Sequence, residues 1–86
     1  MVKKGGKFVL RLEYAWDSME TVDGVVDKVI QAGVTELVRR GVDGGMASTE
    51  LGRFGSKSEA RRVGETLKGR LGKRTWVDMK IRETRS

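Results

Sequence analysis

Along residues 7–16 apolar and polar side chains alternate. Phe8, Leu10, Leu12 and Tyr14 fall on one side of an extended chain; Val9, Arg11, Glu13 and Ala15 fall on the other. A period of two predicts a half-buried strand. The period then lengthens to that of a helix, with Met19, Val22, Val26, Val29, Ile30 and Gly33 on one stripe. Asp17, with Glu20 three residues on, is placed to cap this helix. Gly24 weakens its first half, because glycine costs about 1 kcal/mol relative to alanine inside a helix.

Beyond Ala32 two patterns compete. Gly33 can end the helix and leave residues 35–42 as a strand. Alternatively Val34, Leu37, Val38 and Gly41 continue the helical period, so that the helix runs to Arg40 and Gly41 caps it. Asp43-Gly44-Gly45 favours the strand. It is a strong hairpin signal, and it joins 35–42 to a strand over 46–53.

Residues 51–72, LGRFGSKSEARRVGETLKGRLG, carry the clearest local signal in the chain. Residues 51–54 read as the end of a strand. Ser56 is a helix N-cap whose hydroxyl can accept from the backbone N–H of Glu59, while the Glu59 carboxylate reaches back to the N–H of Ser56. Ala60, Val63, Leu67 and Leu71 then share one stripe, and Gly72 supplies the left-handed residue that ends the helix. Gly64 and Gly69 lie inside it and cost helix stability. A last strand is predicted over 73–83, with Thr75, Val77, Met79 and Ile81 on one face and Trp76, Asp78, Lys80 and Arg82 on the other.

The order strand, helix, strand, strand, helix, strand matches the split βαβ, ferredoxin-like plan. The expected fold class is α+β: a four-stranded antiparallel βαββαβ sheet with two helices on one face, since right-handed crossovers place both helices on the same side. Phe8, Leu10, Leu12, Leu51, Val77, Met79 and Ile81 would meet the helical stripes. The open face would carry Arg11, Glu13, Ser48, Glu50, Trp76, Lys80 and Arg82. On the strand over 35–42, Leu37 would face the helices, and Glu36, Val38 and Arg40 the open side. The chain reads as a single domain over 1–86, with a basic, glycine-containing lead at 1–6 and a short tail at 84–86.

Composition narrows the chemistry. Cysteine and histidine are absent, which removes thiol chemistry, disulfides, the usual general base and the usual zinc ligands. No apolar run approaches the roughly 20 residues of a membrane-spanning helix. The basic lead has no apolar run behind it, so it is not a signal peptide, and a cytoplasmic location is expected. The glycines form neither G-x-x-x-x-G-K-[ST] nor G-x-G-x-x-G. Ser48, Ser56 and Ser58 have no histidine to activate them. The expectation is a non-catalytic domain without metal or cofactor. Its net charge of +6 favours an anionic partner, although charge of this size also serves solubility alone.

Seven residues are candidate contacts. Trp76 beside Lys80, Arg82 and Arg11 could stack a base while the cations hold phosphate, or could simply cover an apolar patch. Lys57, Arg61 and Lys68 share a face of the second helix. They form either a phosphate-tracking ridge or an ordinary solvated surface.

Leu51-Gly52-Arg53-Phe54, Ser56, Glu59-Ala60 and Leu67 resemble the repeat signature of SPOR domains: a strand ending in Gly-x-Phe, then a Ser-led helix with Glu-Ala and a later Leu. The resemblance covers about a third of the chain and implies the same βαββαβ order and binding to peptide-free peptidoglycan glycan strands. The first half of the chain lacks the matching Gly-x-Phe. The same stretch is more loosely similar to the RNA recognition motif, but the aromatics that family stacks on its central strands have no counterpart here. Three functions follow as expectations. The first is a binder of an anionic polymer, nucleic acid first. The second is a SPOR-like glycan binder. The third is a small protein of phage or mobile-element type that binds a host protein, an acidic one in keeping with the charge.

Overall fold

The computed structural model describes residues 6–73 and 75–84. Residues 1–5 of the basic lead and residues 85–86 of the tail lie outside them. Four strands, β1 (Phe8–Ala15), β2 (Glu36–Asp43), β3 (Met46–Phe54) and β4 (Val77–Glu83), form one sheet in the order β2-β3-β1-β4. Every neighbouring pair is antiparallel. The helices α1 (Met19–Gln31) and α2 (Lys57–Leu71) make the two crossovers, β1 to β2 and β3 to β4. This is the interleaved βαββαβ plan.

Each boundary has a local cause. Gly44 and Gly45 take φ of +58° and +87°, so the β2–β3 hairpin closes on the two-residue turn that glycine makes easy. That settles 35–42 against a longer helix: Asp43 pairs with Met46, and the ladder runs back to Glu36. Ser56 caps α2 through Oγ, which accepts from Glu59 N–H at 3.2 Å, and the Glu59 carboxylate accepts from Gly55 N–H at 3.0 Å rather than from Ser56. Gly72 ends α2 with φ +80°. The capping box expected at Asp17 does not form. Trp16–Ser18 make a 3-10 turn instead, and the N-cap position falls to Ser18 without a side-chain bond.

The core lies between the sheet and the helices. Leu10, Leu12 and Leu51 from the sheet meet Val22, Val26, Ala60 and Leu67, all fully buried. A buried leucine of this kind contributes about 1.5–3 kcal/mol. Tyr14 and Thr49 add two polar groups to this layer, and their hydroxyls hydrogen-bond each other. Phe8, Met79 and Ile81 pack at its margin, only partly covered. Arg40 departs from expectation. A bulge between Leu37 and Arg39 shifts the register by one, so Arg40 pairs with Thr49 on the helix side. Its guanidinium reaches Asp23 at 3.3 Å and Asp27 at 3.1 Å, which ties the edge strand β2 to α1.

The helix glycines play different parts. A Cβ at Gly64 would lie 2.6 Å from Met79 Sδ and 3.3 Å from Leu10 Cδ1, whereas one at Gly24 meets nothing within 4 Å. The Gly24→Ala variant should therefore gain the helix propensity, about 0.5–1 kcal/mol. In Gly64→Ala, overpacking of about 1–3 kcal/mol should outweigh the same gain. Urea unfolding midpoints should rise for the first and fall for the second.

Candidate functional site

The face of the sheet away from the helices is occupied by a chain of charges. Register sets it up: Arg11 on β1 stands opposite Glu50 on β3 and Lys80 on β4. Arg11 Nε donates to Glu13 at 2.7 Å, and its Nη1 donates to Glu50 at 2.8 Å. Arg82 Nη2 donates to the two Glu50 oxygens at 3.2 and 3.4 Å. Lys80 Nζ lies 3.5 Å from Glu13. Glu50 is only 4% exposed, although no helix covers this face. Beside the network, Val9 and Val38 close over Gly52, where a Cβ would sit 3.3 Å from Val38 and 3.4 Å from Val9.

Protonation follows these contacts. Burial pushes the Glu50 carboxyl up, but the hydrogen bond from Arg11 and the charge of Arg82 outweigh it and hold it below the usual carboxylate range. The hydrogen bond from Arg11 lowers Glu13 as well, with Lys80 adding to it. Arg11 is raised in turn by Glu13 and Glu50. Thus Arg11, Lys80 and Arg82 are brought together around two carboxylates, with Lys80 and Arg82 still exposed to solvent.

Trp76 is placed elsewhere. It precedes β4 instead of lying within it, because Gly72 turns the chain out of α2 and the first β4 residue is Val77. The indole is 60% exposed. With Lys68, Gly72, Lys73 and Asp78 it lines an open depression of about 650 Å³ where the end of α2 meets the start of β4. Lys68, Arg61 and Lys57 fall within about 40° of one another around the helix at 100° per residue. All three are exposed, and among the described residues none makes an ion pair. Of the ridge only Lys68 lines the depression with Trp76, and neither Lys80 nor Arg82 is part of that lining. Two residues escaped the sequence reading. The alternation puts Lys73 at the start of a strand, whereas it lies before β4, and it puts Glu50 on the open face without showing its burial. The alternation of Arg11, Glu13 and Glu50 was the available signal for the second.

Chemically this surface can hold anions and stack a planar group. Among the described residues no three Asp, Glu, His or Cys side chains gather as a metal site, and no helix is long and apolar enough to cross a membrane.

No family model matches the sequence, and a comparison with curated proteins gives no match. Two solved structures resemble it over nearly their whole length. The solution structure of the C-terminal domain of the MgtC protein from Mycobacterium tuberculosis superposes with a TM-score of 0.56 at 15% identity, covering 96% of this chain and 95% of that one. The de novo designed protein Foldit4 gives 0.55 at 12% identity, covering 92% and 99%. The fold is ferredoxin-like. At these identities the likeness carries the architecture and nothing about a ligand.

The charge network has a pH signature. Carboxyls held low in the folded state favour folding above their unfolded pKa, and that stability is lost as pH falls through the folded value. The urea midpoint should be level near neutrality and fall below about pH 5. In Glu50→Gln the fall should be shallower, and the variant should be less stable at pH 7 by about 1.5–3 kcal/mol, the scale of a hydrogen bond to a charged group.

Proposed function

We propose that this domain acts without catalysis, by binding an anionic polymer, single-stranded nucleic acid first, at the corner between the end of α2 and the start of β4. The observation that carries the reading is Trp76, 60% exposed beside Lys68 and Lys73. An open aromatic face next to two ammonium groups is what a stacked base and its flanking phosphates need. Lys57 and Arg61 continue the positive charge along α2, and the net charge of +6 draws a polyanion towards the molecule. Arg11, Lys80 and Arg82 contribute to that field but make few contacts, since Glu13 and Glu50 hold them.

Trp16, 59% exposed, follows β1 at the same end of the sheet, and its backbone N–H donates to the Gly45 carbonyl at 3.0 Å. Two open indoles also suit sugar rings, which supports glycan strands as a second reading in line with the SPOR resemblance.

Anisotropy titrations with fluorescein-labelled oligo-dT and oligo-U at two salt concentrations test the proposal. Micromolar binding at low salt is expected, with log K falling against log salt by about 0.7 per phosphate neutralised. Trp76→Ala should weaken binding by the about 1–3 kcal/mol of one stacked base. Lys68→Glu with Lys73→Glu should also flatten the salt slope. Unchanged affinity in Trp76→Ala, or no binding at low salt, contradicts the reading. Retention on amidase-treated peptidoglycan that oligonucleotide does not compete away replaces it with the second.

A further inference from the structure

A second surface lies on the opposite flank of α2. The end of α1 and the middle of α2 diverge around a groove of about 250 Å³. Val29, Val63 and Val34 give it an apolar lining, and Val34 is 54% exposed although it is hydrophobic. The chain reverses at Gly33, φ +79°, and Val34 N–H donates to Val29 at 3.2 Å, which fixes Val34 against the last turn of α1. Lys28, Arg62 and Arg70 stand around this lining, no carboxylate lines it, and among the described residues these three cations make no ion pair.

We infer that the groove docks an acidic amphipathic helix of a partner protein, with one or two apolar side chains inserted and carboxylates on either side of them. Charge complementarity chooses the occupant. A cationic rim on both walls of an apolar slot matches an apolar stripe bordered by Asp or Glu. Arg62 and Arg70 are separated by about 12 Å along α2 at 1.5 Å per residue, so they meet acids two turns apart on a helix lying alongside. The volume falls below the roughly 300–1,000 Å³ of small-molecule pockets, which fits inserted side chains better than a whole ligand. No aromatic lines the groove, so a base has nothing to stack on. The site shares no residue with the Trp76 corner and stands independently of the nucleic-acid reading.

The probe is a synthetic helical peptide with a leucine stripe flanked by glutamates, titrated into the isotope-labelled domain and followed by amide shifts. Its Glu→Lys counterpart, decanoate and oligo-dT form the other arms. Shifts centred on the groove residues Lys28, Val29, Val34, Arg62, Val63 and Thr66 are expected, with Lys68 and Trp76 still. The double variant Arg62→Glu, Arg70→Glu, both exposed and checked for folding by circular dichroism, should lose affinity at least about tenfold and gain it for the Glu→Lys peptide. Four results overturn the inference: no shifts at millimolar peptide, shifts mapping elsewhere, equal affinity in the double variant, or shifts in these residues with decanoate or oligo-dT alone. None of these touches Lys68, Lys73 or Trp76, so failure here and failure at the nucleic-acid corner are separately visible.

Discussion

A carboxylate that is almost fully buried on a sheet face without helices has to be matched by cations, and Glu50 is such a carboxylate. Removing it from water costs several kcal/mol unless good geometry and hydrogen bonds offset the loss. Arg11 and Arg82 supply both, and Glu13 holds the far side of Arg11 and reaches Lys80. The network crosses β3, β1 and β4, so it also fastens the register of the three strands that carry the core on their other side. Its consequence for function is subtractive. Arg11, Lys80 and Arg82 are tied to carboxylates, while Lys57, Arg61 and Lys68 on α2 make no ion pair among the described residues.

The helix layer depends on equally local fits. Gly64 gives Met79 and Leu10 the space a methyl group would take. Arg40 crosses from β2 to Asp23 and Asp27 and anchors the strand with the fewest buried residues. With α2 set over the sheet this way, one of its flanks presents Lys57, Arg61 and Lys68, and the other opens the groove towards α1. A single helix thus separates two surfaces of different character, one with an indole and one with an apolar slot.

Much of this was legible in the order of residues. The alternation in β1, the Ser56 cap, the stripe Ala60 to Leu71 and the Gly44-Gly45 turn each encode their structure within a few neighbours, and together they specify βαββαβ. What was not legible depends on pairing across the chain. The bulge that turns Arg40 to the helix side belongs to the β2–β3 register, and the burial of Glu50 needs Arg11 and Arg82 from two other strands. β4 starts later than its alternation suggests, because Thr75 and Trp76 continue that alternation upstream of Val77. The stretch that resembles the SPOR signature falls on β3, its turn and the capped α2, where Phe54, Ala60 and Leu67 are core residues.

The central claim is that the charged sheet face is closed and that anions meet the molecule at the end of α2. Amide chemical shifts of the labelled domain during titration with a single-stranded oligonucleotide read this directly, because each face reports separately. The expected result is movement at Lys68, Lys73, Thr75, Trp76 and Val77, with Arg11, Glu50, Lys80 and Arg82 nearly still. Movement centred on Arg11, Lys80 and Arg82, with the Trp76 corner silent, would contradict it.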